Sequence, residues 1–538
     1  MPQQPLLNFH PRVLMPVATQ TETRTFASFN PATGEVLREF VCASKDEVNA
    51  AVARAKAAQP EWQALGVKSR IKILRKFQRL LQERKSEVAR LITLEAGKPL
   101  GESLLTEVFV VLDAARFCLQ TAYSVLRPQK VPHGSPIMKA KSGWLLREPH
   151  GVIGIISPWN YPLSTPATES VAALVLGNAV VLKPSELTPL VGLKLAELFY
   201  AAGVPRDIFQ VVIGDGDTGA ALVDAPIDKI IFTGSVATGR RIAEAAAPRF
   251  LPTVLELGGK DPMLVLEDAD LDTASSAAVW GAFMNAGQTC LSVERCYVHR
   301  SLYPQFVEAC VKKTRELHVG NGADGTTEMG PMISERQLRI MESHVEEARS
   351  AGARVLTGGK RLAEIGANFY APTVLADVTH KMRVVTEETF GPVLPIMAFE
   401  TEDEAIRLAN DSIYGLAASV WTKNRARGAA VARRINAGTV MVNDLLSGFA
   451  ISEAPHGGFR DSGIGRTHGR LGMDEMVRVK YVDSDRLPRM KKLWWYGYGP
   501  AFAAQMEGFI DFLFARGLAK KMTGALRSLA ALRKKKSI

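Results

Sequence analysis

The apolar positions of this chain follow two rhythms. Between about residue 46 and residue 118 they recur every three to four residues, most clearly at Ile71, Leu74, Phe77 and Leu81 with basic residues between them, which predicts helices. From Val152 onward the rhythm changes to short apolar runs, "VIGIIS", "AVVLK", "IFQVVIG", "KIIFTG" and "TVLEL", separated by helical stretches. Runs rich in Val and Ile, without polar alternation, suit parallel strands buried on both faces. Strand and helix alternating in this way predict a doubly wound sheet, whose ligands bind beyond the carboxyl ends of the strands. A second set of runs, "VERCYVH", "PTVLADV", "PVLPIMAF", "ASVWT" and "GTVMVN", follows Cys290. Two α/β domains are expected, with the Cys290 segment near their junction.

Composition narrows this picture without changing it. A chain of 538 residues, 47% hydrophobic and 22% charged, is long enough for two or three domains with buried cores. The net charge of +11 is uneven. Residues 486–538 carry twelve Lys or Arg against Glu507 and Asp511, so nearly all of the surplus belongs to a tail. The five cysteines, Cys42, Cys118, Cys290, Cys296 and Cys310, are scattered and free of CxxC spacing, which argues against a disulfide frame and a zinc knot. His150, His299 and His456 lack repeated ligand spacing, so no metal is expected. The opening "MPQQPLLNFHPRVLMPVATQ" has no basic start followed by an apolar run, so no signal peptide and a cytoplasmic location are expected.

The chemistry concentrates in a few segments. "NAGQTC" at 285–290 sets one cysteine in a short polar stretch, and a thiol kept for its reactivity needs local activation to act as thiolate. There is no GxGxxG fingerprint; the nearest equivalent is "FTGSVATG", where a strand runs into Gly234, Ser235 and Gly239 and a helix follows. Amides at such a helix start can hold a phosphate, although a serine cap over a glycine turn with no ligand has the same sequence. Cys296, six residues beyond Cys290 in a strand-like run, reads as core.

In order, "GIISPWNYPL", "VVLKPSELTP", "FTGSVATG", "LELGGKDP" and "NAGQTC", followed by "EETFGPVLP", "NDLLSGFAISEAPHGGFRDSGIGR" and "KYV", resemble the aldehyde dehydrogenase superfamily over roughly residues 25–482. The resemblance implies a Rossmann-type NAD-binding domain (24–132 and 148–258), an α/β catalytic domain (259–452) and a β-strand oligomerisation arm (133–147 and 453–482), with 486–538 left outside as a basic amphipathic tail. It implies Cys290 as nucleophile, Glu256 as the base that activates the deacylating water, and the Asn160 side chain with the Cys290 amide as oxyanion donors. For the cofactor it implies Lys183 and Glu186 at the adenosine ribose, Gly234, Ser235 and Gly239 at the pyrophosphate turn, and Glu388 and Phe390 at the nicotinamide. Trp159, beside Asn160, is either a wall of the same channel or a packed aromatic. A carboxylate at Glu186 opposes a 2′-phosphate, so NAD is favoured and NADP remains open.

The expected reaction takes an aldehyde, aliphatic or fatty, to a carboxylic acid through a thioacyl-enzyme, in a homodimer or homotetramer. Two alternatives stand beside it: a semialdehyde dehydrogenase of the succinate-semialdehyde type, and a non-catalytic membrane-associated scaffold of the same fold.

The tail has its own pattern. Phe502, Met506, Phe509, Ile510, Leu513 and Phe514 recur on one helical face, with Glu507 and Asp511 off it, and Trp494, Trp495, Tyr496 and Tyr498 precede them. No apolar run there approaches the ~20 residues of a bilayer span. The expectation is peripheral attachment to an anionic membrane surface at the inner face, the alternative being a helix that packs over the enzyme body or a neighbouring subunit. Aromatics clustered at one end, without alternating charges, argue against nucleic acid.

Overall fold

Parallel strands buried on both faces need helices above and below, and the computed structural model meets that need twice. It describes residues 24–492 and 494–535, with side chains to Ala530, so the amino-terminal segment and the last three residues lie outside the described residues. The described chain forms two units, one built from residues up to 128 and 146–480, the other from 129–145 and from 481 onward.

In the first unit a six-stranded sheet runs in the order Gly463–Ile464, Thr253–Glu256, Lys229–Thr233, Val152–Ile156, Ala179–Lys183, Phe209–Val211. All neighbours are parallel except the two-residue edge strand, which pairs antiparallel with Leu255 and Glu256. Strand order reverses at Val152–Ile156, so the segments leaving Ile156 and Thr233 diverge to opposite faces and leave a crevice at the carboxyl ends. The helices Lys45–Ala64, Gly66–Glu83 and Val110–Leu126 cover this sheet and bury Trp62, Leu74, Phe77, Leu81 and Leu119. Phe77 stacks on Phe199, ring centroids 4.2 Å apart.

A seven-stranded sheet follows in the order Arg354–Thr357, Thr373–Ala376, Val393–Phe399, Val293–His299, Asp261–Val265, Ala417–Trp421, Thr439–Val442, parallel but for its first strand. Cys296 and Cys310 are buried in its core. The helical segment Leu100–Leu126 is, among the described residues, the one long and apolar enough to cross a membrane; it is half buried within the fold and carries the buried Glu107, as a core helix does.

Three features differ from the sequence expectation. A hairpin, Thr25–Phe29 with Val36–Val41, precedes the helices. Its strands are short and their apolar residues largely exposed, which leaves little periodic signal. The small sheet formed by Gln129–Val131, Lys141–Pro149 and Val477–Asp485 takes up only the end of the expected second arm segment; residues 453–476 fold with the large unit instead, because Gly463 and Ile464 complete the edge beside Glu256. The tail forms two helices, Pro500–Phe514 and Leu518–Lys535, broken at Gly517, whose φ is +89°.

Phe77→Ala should lower stability by about 3–5 kcal/mol, since a buried aromatic leaves a cavity that stacked Phe199 cannot fill. Thermal unfolding of the full chain checks this as a drop in Tm.

Candidate active site

Four segments leave the carboxyl ends of adjacent parallel strands, and three of them deliver chemistry to one cavity. Ile156 leads to Trp159 and Asn160, Lys183 to Glu186, Thr233 to Gly234 and Ser235, and Glu256 ends its own strand. From the second sheet, Cys290 and Glu388 precede the neighbouring strands Val293–His299 and Val393–Phe399. A cavity of about 520 Å³ is lined by Trp159, Asn160, Gly234, Ser235, Glu256, Cys290, Glu388 and Phe390 together. Trp159 is therefore a wall of the channel, and it meets Phe390 edge-on with centroids 5.5 Å apart.

Three sequence-expected residues lie elsewhere. Lys183 and Glu186 do not line this cavity; they pair at 3.2 Å after the adjacent strand, Lys183 buried and Glu186 half-exposed. Gly239 is buried in the first turn of the helix Val236–Ala246, where a Cβ would sit 2.5 Å from Leu257 Cδ2. It lets the helix close on the strand segment and does not line the cavity. Ser235 caps that helix by accepting from the Thr238 amide, so that of the first-turn amides those of Val236 and Ala237 could meet an anion.

The loop bearing Cys290 is held in an unusual conformation. Asn285, Ala286 and Gly287 have φ of +54°, +52° and +70°, and a Cβ on Gly287 would lie 2.2 Å from the Gly391 carbonyl. Left-handed backbone at Ala286 costs about 1–2 kcal/mol, so the surroundings must impose it. They do so through hydrogen bonds. The Asn285 amide donates to Glu102, its side chain donates to the carbonyls of Asn160 and Gln288 at 3.2 and 3.1 Å, and Gln288 Oε1 accepts from Ile333 N at 2.9 Å. Asn160 Nδ2 donates to the Gln288 carbonyl at 3.0 Å. An amide nitrogen carries two hydrogens, so one remains for an oxyanion.

Beneath lies a buried ion pair that the sequence reading missed. Lys98 Nζ donates to Glu107 at 2.7 Å, both side chains fully buried, and it also sits 3.6 Å from the centre of the Tyr161 ring. Glu107 accepts from the amides of Leu163 and Ser164 at the start of the helix Ser164–Val175, while Tyr161 bonds Thr289 at 3.0 Å. The Asn160 and Cys290 segments are thereby tied to one buried charge pair.

The electrostatics do not favour a resting thiolate. Burial raises the Cys290 thiol well above its usual range, and the carboxyl groups of Asp261, Glu388 and Glu256 add to the rise. Cys290 is partly accessible from the cavity while remote from bulk water. Glu256 is raised by burial and then by Glu169; neither of its oxygens makes a hydrogen bond of full geometry, although Thr467 is a nearby donor. His456 lies 3.8 Å from it, with burial pushing the imidazole down to about 3, so it is neutral. Glu169 itself is pushed up to about 8 by burial. Glu388 is pushed up to about 8, first by burial and then by Glu294, and it accepts from Gly259 N at 3.1 Å. A Cβ on Gly258 would come within 2.4 Å of that carboxylate. Glu294 in turn holds the amides of Thr389 and Phe390 and pairs with Lys260.

The rest of the wall is largely apolar: Leu105, Phe109, Trp280, Met284, Ile340, Leu446 and Phe449. Leu105 and Phe109 stand on the π-helical turn Ser103–Phe109, a feature that often marks functional sites. No local sequence signal distinguishes these from core residues.

The chain matches the Aldehyde dehydrogenase family over residues 17–482 and belongs to it. It is 38% identical over 495 residues to the 4,4'-diapolycopene aldehyde oxidase of Methylomonas sp, covering 91% of each chain. Among solved structures, it resembles the NAD+ complex of an aldehyde dehydrogenase from Bacillus cereus, with 38% identity, TM-score 0.83, and coverage of 86% of this chain and 93% of that one. It also resembles an NAD-dependent aldehyde dehydrogenase from Sinorhizobium meliloti, with 37% identity, TM-score 0.82, and 86% and 92% covered. An NADP dependent enzyme of E. coli is similar as well, with 36% identity, TM-score 0.82, and 86% and 95% covered. The protein is thus an enzyme fold of aldehyde oxidation, in a family that uses nicotinamide nucleotides.

Like charge beside a carboxylate raises its pKa, so removing the Glu169 charge should lower that of Glu256. Glu169→Gln is expected to shift the acid limb of the activity profile to lower pH. Rate against pH under saturating substrate checks it; an unmoved limb would separate Glu169 from the base.

Proposed function

We propose that this enzyme oxidises extended apolar aldehydes to carboxylic acids through a thioester on Cys290, with NAD as the preferred acceptor. The observation that carries the reading is the gathering of Cys290, Glu256 and Asn160 on one cavity whose remaining wall is mostly apolar.

Because burial and neighbouring carboxyls keep the resting thiol protonated, its proton must pass to a base as sulfur attacks the carbonyl carbon. Glu256 is the base on the cavity wall, and burial raises it above the usual carboxylate range, which makes it a stronger proton acceptor than a solvated carboxylate. The free hydrogen of Asn160 Nδ2 and the Cys290 amide then stabilise the oxygen that gains charge. Bound NAD supplies the hydride acceptor. Collapse with loss of hydride leaves an acyl group on Cys290 sulfur, and Glu256 passes the thiol's proton on to solvent; water then gives a proton to Glu256 as it attacks the acyl carbon, the acid leaves, and the departing sulfur takes that proton back.

The residues fit a nicotinamide nucleotide. The capped helix start at Ser235 suits its phosphates, the Lys183–Glu186 pair suits a ribose, and Glu388 with Phe390 and Trp159 forms the inner wall. Half-exposed Glu186 would oppose a 2′-phosphate, which favours NAD.

A semialdehyde would bring a second anionic group against the apolar wall, at the cost of burying it unpaired. The apolar reading is also supported by the name of the Methylomonas relative, an oxidase of a polyene aldehyde. A scaffold would have no physical use for a buried, weakly bonded Glu256. The edge strand Val477–Asp485 exposes Val479, Tyr481 and Val482, which supports pairing with a second copy into a homodimer or homotetramer.

NADH production from aldehydes of graded chain length and charge tests the assignment. Activity should rise with apolar length and vanish in Cys290→Ala, whereas residual turnover in that variant would end the thioester mechanism. Asn160→Ala is expected to lower kcat by about 10²–10³-fold with little change in KM. Glu186→Gln should raise the NADP to NAD ratio of kcat/KM by on the order of tenfold, read from cofactor titrations.

A further inference from the structure

The two tail helices pack inside out. Pro500–Phe514 and Leu518–Lys535 lie against each other through Gly508, Gly524 and Ser528, so closely that a Cβ on Gly508 would come within 2.6 Å of the Gly524 carbonyl and one on Gly524 within 2.6 Å of Phe512 N. Gln505 and Gly508 are the buried residues of the first helix, and Asp511 also stands at the seam. Small and polar groups thus fill the interior of the hairpin. Seven large apolar groups point away from it, Ile510, Phe512, Phe514, Leu518, Met522, Leu526 and Leu529 being exposed, Phe514 and Leu518 each to 76%, while Phe502, Met506, Phe509 and Leu513 are half-buried.

A hairpin folded for water alone would bury those side chains between its helices. Close small-residue packing with apolar groups outward is the arrangement that suits surroundings as apolar as the side chains themselves. Two further observations identify those surroundings. Trp494, Trp495, Tyr496 and Tyr498 are exposed immediately before the hairpin, Tyr496 to 98%, and such rings favour the headgroup level of a bilayer. Arg516, Lys520, Lys521 and Arg527 stand on the same element, and the sequence closes on Arg533, Lys534, Lys535 and Lys536, a concentration of positive charge complementary to anionic lipid.

From this we infer that the carboxy-terminal hairpin seats the enzyme on an anionic lipid bilayer, with its outward apolar residues dipping into the acyl boundary and its basic residues at the headgroups. Helices of 15 and 18 residues, the second carrying several charges, lie in the interface and do not cross it. The inference stands apart from the identity of the aldehyde, since it rests on the tail alone.

Flotation of the full-length protein with phosphatidylcholine vesicles, with and without phosphatidylglycerol, tests it. The expected result is about tenfold more protein floating with the anionic vesicles, falling as salt rises. Phe514→Glu combined with Leu518→Glu should abolish flotation while keeping the wild-type Tm, and Lys520→Gln with Lys521→Gln and Arg527→Gln should weaken it severalfold. Acyl-brominated lipid should quench tryptophan emission in the wild type and not in the Phe514→Glu, Leu518→Glu variant. Recovery in the soluble fraction with both vesicle types would overturn the inference. So would equal flotation of the Phe514→Glu, Leu518→Glu variant, absence of quenching despite flotation, or sedimentation of the protein without vesicles, which would mark self-association.

Discussion

Lys98 and Glu107 form a fully buried ion pair beneath the site, and much of the site's geometry hangs from it. Two charges removed from water are costly unless every remaining valence is engaged, and here the carboxylate also receives the first amides of the helix Ser164–Val175 while the ammonium faces the Tyr161 ring. Such a pair contributes little net stability, but it tolerates only one arrangement of its neighbours. That arrangement sets Tyr161 against Thr289 and brings the Asn160 segment to the Cys290 loop. The left-handed backbone at 285–287 persists because Glu102, Asn160 and Gln288 hold it there.

From this constraint follows a site whose resting state is poorly reactive. Acidic groups surround the thiol and are themselves raised by burial, so each resists ionisation until a charge or a proton acceptor arrives. Glu169 lies behind Glu256 and raises it, and Glu256 with Glu388 and Asp261 raises Cys290, so the ionisation of these cavity groups is linked through space.

The motif segments were legible because chemistry and backbone demands coincide in them. "NAGQTC" carries the cavity thiol and also an asparagine and a glycine that accept positive φ, and "LELGGK" carries the buried cavity carboxyl of Glu256 and also Gly258, where Glu388 leaves no room for a Cβ. Gly239 shows a demand the motif does not spell out: its lack of a side chain also lets a helix approach Leu257. The apolar cavity wall was not legible. Leu105, Phe109 and Phe449 come from distant segments and look like any core residue until the fold turns them toward one space.

By itself the sequence carried the two parallel sheets, through unbroken Val- and Ile-rich runs suited to burial on both faces, and it carried the family, through motif segments that stand in a fixed order along the chain. Only the tertiary structure decided where 453–476 belongs, that Glu169 lies close enough to raise Glu256, and that the tail is a hairpin of two helices with small residues at its seam. Those outcomes depend on through-space packing and desolvation between segments far apart in the chain, and periodicity along one segment does not encode them.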